Sequence, residues 1–195
     1  LPADEVPAAD RRAAPDGATR ARPVGSGEVQ RTVILIDGRS GSGKSTLAPL
    51  VAAALETPAQ LIRLDDIYPG WGGLAAGSRH VLENVLVPLA EGRPSRWRRW
   101  DWTADAAAEW HAVDPTAALV IEGAGILTRA NRALATFGIW VELDDETRKR
   151  RALARDGDLY APHWHRWAAQ EEAFLARERP RLSADLLIDG HRISG

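Results

Sequence analysis

One run of residues constrains this chain more than anything else in it: Gly38-Arg39-Ser40-Gly41-Ser42-Gly43-Lys44-Ser45-Thr46. It follows an aliphatic, β-branched stretch, Thr32 to Ile36, and opens a segment with helical spacing, Lys44 to Leu55. The pattern Gly-x-x-x-x-Gly-Lys-Ser, set between a strand and a helix, turns successive backbone N–H groups towards one point. The helix that follows presents its positive N-terminal end to the same point. Such a loop holds phosphate, with Lys44 reaching the β- and γ-phosphates and the Ser45 hydroxyl ligating Mg²⁺. Gly38, Ser40, Gly41, Ser42, Gly43, Lys44, Ser45 and Thr46 are therefore the expected nucleotide-binding residues. Lys44 stands out further because the 25 basic residues include only two lysines, Lys44 and Lys149. Pro49 falls inside the predicted helix, where it removes the bond to the Ser45 carbonyl, and a kink is expected there.

The remainder of the chain is consistent with one domain around such a loop. Its 195 residues are 45 % hydrophobic and 27 % charged, enough for a single core and too apolar for wholesale disorder. Cysteine is absent, which excludes disulfides, thiol nucleophiles and thiolate metal sites, and makes a cytoplasmic location the expectation. A net charge of −2 gives no global attraction to nucleic acid or anionic lipid, so neither is an expected partner. No apolar run reaches the roughly 18 residues of a membrane span, and the N-terminus lacks the regions of a signal peptide. Residues 1–30, with Pro2, Pro7, Pro15, Pro23 and Gly25-Ser26-Gly27, read as an extended tail or one short helix. Methionine is absent, an initiator included, as expected of a chain trimmed at its start.

Five short aliphatic runs predict strands: Thr32 to Ile36, Leu61 to Leu64, Leu119 to Ile121, Gly138 to Leu143 and Asp185 to Ile188. Their near-continuous apolar character suits a parallel sheet covered on both faces. Helical spacing recurs between them at Lys44 to Leu55, His80 to Glu91, Thr103 to Trp110, Thr147 to Arg155 and His163 to Glu178. The alternation implies an α/β doubly wound domain over 31–195.

Several classes of nucleotide-binding protein are excluded by what is missing. No Asn-Lys-x-Asp motif reads guanine, and no Leu-Ser-Gly-Gly signature marks a transporter ATPase. The second strand ends in Leu64-Asp65-Asp66-Ile67-Tyr68, at the sheet edge where ligands of open α/β folds bind. An aspartate there accepts the proton of an attacking hydroxyl or holds Mg²⁺; its other reading is a cap on the following turn. The third strand ends in Glu122-Gly123, placing an acid where it can act on Mg²⁺ beside Ser45.

On these residues the chain resembles the uridine kinase-like group of P-loop kinases, with their pantothenate kinase and phosphoribulokinase relatives. The resemblance spans about residues 31 to 190 and rests on Gly38 to Thr46, Leu64 to Tyr68 against the family's Asp-x-Phe-Tyr, Glu122-Gly123, and the arginines after the fourth strand. It implies a three-layer sandwich with a five-stranded parallel sheet ordered 2-3-1-4-5, and ATP with Mg²⁺ as cofactors. It makes Asp65 the catalytic base and Tyr68 part of the acceptor pocket. Ile67 replaces the family's Phe, and Asp66 stands beside Asp65, so the choice between the two acids stays open. Trp100-Asp101-Trp102 is similar to a Tyr-Asp-Phe-like segment of the acceptor region, which implies that Asp101 binds acceptor hydroxyls and that the rings of Trp100 and Trp102 wall the pocket; core packing of one or both rings is the other reading.

Arg148, Arg151 and Arg155 share a helical face by their spacing. Such a row suits a lid near 148–162 that closes over triphosphate and stabilises charge in transfer; a solvated arginine face is its bland counterpart. His163-Trp164-His165-Arg166-Trp167 reads as a packed helix start and not as a metal site. Together these readings predict an ATP- and Mg²⁺-dependent phosphotransferase acting on a hydroxyl of a small metabolite, a nucleoside or similar polyol. The alternative is a nucleotide-binding regulatory ATPase serving a protein partner.

Overall fold

The structure is a computed structural model that describes residues 31–193. The expectation for residues 1–30 lies outside the described residues. The elements in chain order are β1 (Val33–Gly38), α1 (Lys44–Ala53), β2 (Ala59–Arg63), α2 (Leu74–Val81), α3 (Val87–Ala90), β3 (Arg96–Asp101), β4 (Ala106–Ala112) and β5 (Ala118–Glu122). They continue as α4 (Arg129–Ala133), β6 (Phe137–Glu142), α5 (Asp145–Tyr160), α6 (Trp164–Glu178), α7 (Pro180–Ser183) and β7 (Leu186–Asp189).

Five strands form one parallel sheet in the order β2-β5-β1-β6-β7. The expected 2-3-1-4-5 counted only strands of this sheet; the two numberings differ by β3 and β4, which form a separate antiparallel hairpin. Every residue of β1 and β5 is buried, which is why both read as unbroken apolar runs. Alternate side chains serve opposite faces. Leu35, Leu119 and Ile121 pack with Tyr68, Trp140, Trp167 and Phe174 on one side. Ile34, Ile36, Val120 and Val141 pack with Ala48 of α1 on the other. Leu35, Ile36, Leu119 and Ile121 are fully buried, and truncating any one to Ala costs about 2–5 kcal/mol.

Three helical expectations change. Helix α1 runs unbroken through Pro49, whose ring is exposed. The segment expected as a helix from His80 begins at Leu74 and passes through one π-type stretch, Leu82–Leu86, before α3. Thr103 to Trp110 is not helical: it forms the hairpin turn and most of β4. Its alanines favour a helix locally, but pairing with β3 decides the outcome, as Trp97↔His111 and Arg98↔Trp110 place large side chains opposite one another.

Candidate active site

The loop between β1 and α1 takes the shape its glycines permit. Gly41 (φ +82) and Gly43 (φ +104) lie in the left-handed region, and a Cβ on Gly41 would sit 2.0 Å from the Arg148 carbonyl oxygen. Ser42 N–H donates to the Arg39 carbonyl at 3.0 Å, closing the turn. Gly43 supplies no side-chain cap, so the first amides of α1 are left for an external anion. Lys44 opens the helix and is buried, and the Ser42 hydroxyl is buried with no partner in the protein.

Parallel pairing brings β5 alongside β1 in the register Ile36↔Glu122, which delivers Glu122 to the mouth of this loop. Ser45 Oγ donates to Glu122 Oε2 at 3.3 Å. The other carboxylate oxygen, Oε1, is buried and without a partner. Burial pushes the Glu122 carboxyl up, with Lys44 opposing it. A hydroxyl and a carboxylate with an unused oxygen are hard ligands that suit Mg²⁺. Among the described residues no group of three acids or histidines forms a self-sufficient metal cage.

Asp37, the residue before the loop, was not singled out by sequence reasoning. Its carboxylate is buried at the end of β1 and accepts N–H groups of Gly38 (2.7 Å), Gly125 (3.0 Å) and Leu127 (2.7 Å). Burial raises its pKa to about 7, against the pull of those three bonds and of Lys44. The side chain ties the loop after β5 to the base of the phosphate loop.

A cavity of about 560 Å³ runs from Lys44 and Ser45 past Glu122 and Asp65 to an aromatic wall of Trp71, Trp102, Tyr160 and Trp167. Asp65 and Asp66 occupy a single 3₁₀ turn after β2, both exposed to this cavity. Asp66 is raised by partial burial and by its neighbour Asp65. Trp102 Nε1 donates to the Asp65 carbonyl at 2.8 Å, and the Trp71 ring lies 5.0 Å from that of Trp102 and stacks on Tyr160 at 5.3 Å. A second cavity of about 330 Å³ lies on the other side of Lys44, between Gly43, Thr46, Arg151, Arg155, His191 and Ile193.

No protein-family model matches the chain, and no curated protein matches it in sequence. Solved structures do. A possible uridine kinase from Bacillus stearothermophilus superposes with a TM-score of 0.60 at 18 % identity, covering 82 % of this chain and 89 % of its own. A protein assigned as a fructose transport system kinase from Silicibacter sp. TM1040 gives a TM-score of 0.51 at 23 % identity, covering 86 % of this chain and 93 % of its own. The chain has the P-loop kinase fold. At these identities the likeness is one of fold.

On this P-loop kinase fold the expected site residues divide. Ser40, Gly41, Gly43, Lys44, Ser45, Thr46, Asp65 and Glu122 line the two cavities on either side of Lys44. Tyr68 touches the cavity but is buried, its hydroxyl donating to the Ala124 carbonyl at 2.7 Å and its ring edge-on to Trp167 at 4.8 Å. It forms part of the cavity wall. Trp100 and Asp101 do not reach the cavity. Trp100 lines a separate depression with Ile67 and His80, and Asp101 accepts the N–H groups of Thr103 (2.9 Å) and Ala104 (3.0 Å) to cap the hairpin turn. Of the two expected rings, Trp102 alone lines the cavity. Trp71 was missed, although a large aromatic amid Pro69-Gly70-Trp71-Gly72-Gly73 has few local neighbours within the sequence to pack on.

The three arginines also separate. Arg148 is buried behind the phosphate loop, bonded to Asp145 at 2.6 Å and Glu171 at 3.4 Å, with its guanidinium 5.1 Å from the Trp164 ring. It is a packing residue here and does not face the cavities. Arg151 lines the second cavity and donates to the Gly190 carbonyl at 2.9 Å. Arg155 borders both cavities and pairs with Asp156 at 2.7 Å. Just beyond, Gly157 (φ 50, ψ −133) interrupts α5, separating Arg155 from Tyr160 of the aromatic wall.

Proposed function

We propose that this protein is an ATP- and Mg²⁺-dependent phosphotransferase that moves the γ-phosphoryl group to a hydroxyl of a small metabolite, a nucleoside or similar polyol. One observation carries the reading: a single cavity is bounded at one end by Lys44, Ser45 and Glu122 and at the other by Asp65 and an aromatic wall. A phosphate seat and an organic acceptor seat thus share one space, as transfer between bound molecules requires. The two kinase-assigned structures of the same fold support this at the level of architecture.

In this reading the loop amides and Lys44 hold the β- and γ-phosphates, and the second cavity seats the remainder of the nucleotide beside His191 and Ile193. Ser45 and Glu122 would hold Mg²⁺, which supplies charge neutralisation on the phosphate oxygens. Asp65 accepts the acceptor's hydroxyl proton as its oxygen bonds to phosphorus and the bond to ADP breaks. Arg155, placed between the two cavities, meets the charge on the transferred group, and Arg151 the phosphates behind it. Trp71 and Trp102 bury the acceptor's body and exclude water. Closure of the segment that follows Arg148, pivoting at Gly157, completes the site.

The test is ADP release measured with ATP and Mg²⁺ across a panel of nucleosides, sugars and vitamins bearing free hydroxyls. A large rise with one class of acceptor, over a small rate without it, is expected. Release indifferent to every small alcohol would overturn the proposal.

A further inference from the structure

Helix α6 carries an acid where its pattern calls for an apolar residue. Its buried positions are Trp164, Trp167, Glu171 and Phe174, so Glu171 lies on the stripe that faces the core. The Glu171 side chain is 2 % exposed, and a charge so placed is costly unless every oxygen finds a donor. Its donors come from the phosphate loop and from α5. Oε1 accepts the backbone N–H of Ser40 at 2.7 Å. Oε2 accepts Arg39 Nε at 3.0 Å and an Arg148 guanidinium N–H at 3.4 Å. Arg39 reaches on to Asp145 at 3.2 Å and Glu172 at 2.6 Å.

We infer that Glu171 is a positioning residue for the phosphate loop: it fixes the Ser40 amide and, through Arg39 and Arg148, the turn at Gly41, so that Lys44 and the amides after it stay aimed at phosphate. The inference rests on the reading of Gly38 to Thr46 as the nucleotide seat. The Ser40 N–H is one that this loop would otherwise leave without an acceptor. Spending it on Glu171 orients the peptide plane that leads into Gly41, where there is no room for adjustment against the Arg148 carbonyl. The anchor itself is rigid. One turn back on the same helix face, Trp167 packs against Tyr68 and Trp71, so α6 is held by the acceptor wall as firmly as it holds the loop.

The test compares ADP with AMP, which lacks the phosphate that the loop grips, by calorimetric titration of the wild-type chain, Glu171→Gln and Glu171→Asp at fixed Mg²⁺. Glu171→Asp keeps the charge that pairs the two arginines and withdraws the carboxylate from Ser40 by one methylene. Both variants should bind ADP at least about tenfold more weakly, as expected of a loop shifted by a fraction of an ångström, with AMP affinity kept within about twofold. Amide exchange on the wild-type chain without nucleotide should show Ser40 protected, a readout that needs no variant to fold. Unchanged ADP affinity in both variants, parallel loss of ADP and AMP, or an unprotected Ser40 amide would each overturn the positioning role. A wild-type chain that does not bind ADP at all would overturn the nucleotide reading beneath it, and the inference with it.

Discussion

Ser45 and Glu122 stand 77 positions apart in the chain, yet the hydroxyl of one donates to the carboxylate of the other at 3.3 Å. The parallel register of β1 with β5 makes that meeting, since Ile36 lies opposite Glu122 at the strand end from which the loop departs. Only Oε2 is used, and Oε1 is buried with no partner. Glu122→Gln should therefore raise the Mg²⁺ concentration needed for half-maximal turnover by at least about tenfold while leaving the fold intact. A titration of ADP production against Mg²⁺ measures this, and an unshifted midpoint would exclude Glu122 from the metal's surroundings.

Asp65 and Asp66 are tested against each other. Asp65→Asn should lower turnover by about 10²- to 10⁴-fold with ATP binding nearly unchanged, because the missing proton acceptor matters only as the hydroxyl reacts. Asp66→Asn should do much less. The reverse ranking would assign the base to Asp66, one step further round the same 3₁₀ turn.

The arginines of α5 should fail in two different ways. Arg155→Ala is expected to reduce kcat strongly with little effect on ATP affinity, since its contact is with charge that develops during transfer. Arg148→Met should instead reduce stability, by about 1–3 kcal/mol, because it strips one of three buried donors from Glu171 and leaves Arg39 and the Ser40 N–H in place. Thermal unfolding beside steady-state kinetics separates the two. Equal loss of kcat with no fall in midpoint for Arg148→Met would return that residue to the lid.

The buried carboxyl of Asp37 makes a prediction about pH. Its pKa is raised to about 7 in the folded chain, from an ordinary value near 4 when unfolded. Below about pH 4 both states hold the proton. Between there and about pH 7 the folded state keeps a proton that the unfolded state has lost, so this group's contribution to stability is lost as pH rises through that window and then levels off. Asp37→Asn removes the titration. The thermal midpoint of the wild-type chain relative to that variant should fall from about pH 4.5 to about pH 7.5; a flat or rising difference would show that the three N–H bonds hold the carboxylate ionised.

The parts of this molecule that were legible in the sequence are those where local chemistry and tertiary position agree. The glycines of the loop need their own φ angles whatever surrounds them, and strands buried on both faces stay apolar up to their ends, where Asp37 and Glu122 stand, so loop and sheet could be read directly. Glu122 was legible because a strand end beside such a loop is a fixed place. The hairpin was not, since Ala106, Ala107 and Ala108 favour a helix until β3 is there to pair with them. Arg148 illustrates a second limit. Helical spacing sets it on a face with Arg151 and Arg155, but only the position of Glu171, on another helix, decides that it turns inward. Glu171, an acid on the apolar stripe of α6, was not singled out, because what it grips lies on other elements.

The hairpin of β3 and β4 shares no strand pairing with the central sheet, yet it sends Trp102 to the Asp65 carbonyl at the floor of the acceptor space. Under the proposed function, the groups assigned to phosphoryl transfer and the Trp102 ring thus sit on separately pleated pieces of backbone. Residues of the hairpin tip can change without disturbing a single rung of the sheet that aligns Lys44, Ser45 and Glu122. In a lineage of such proteins the choice of alcohol would be free to drift while the handling of the triphosphate stayed still, and relatives with near-identical loops would be expected to differ first in the metabolite they accept.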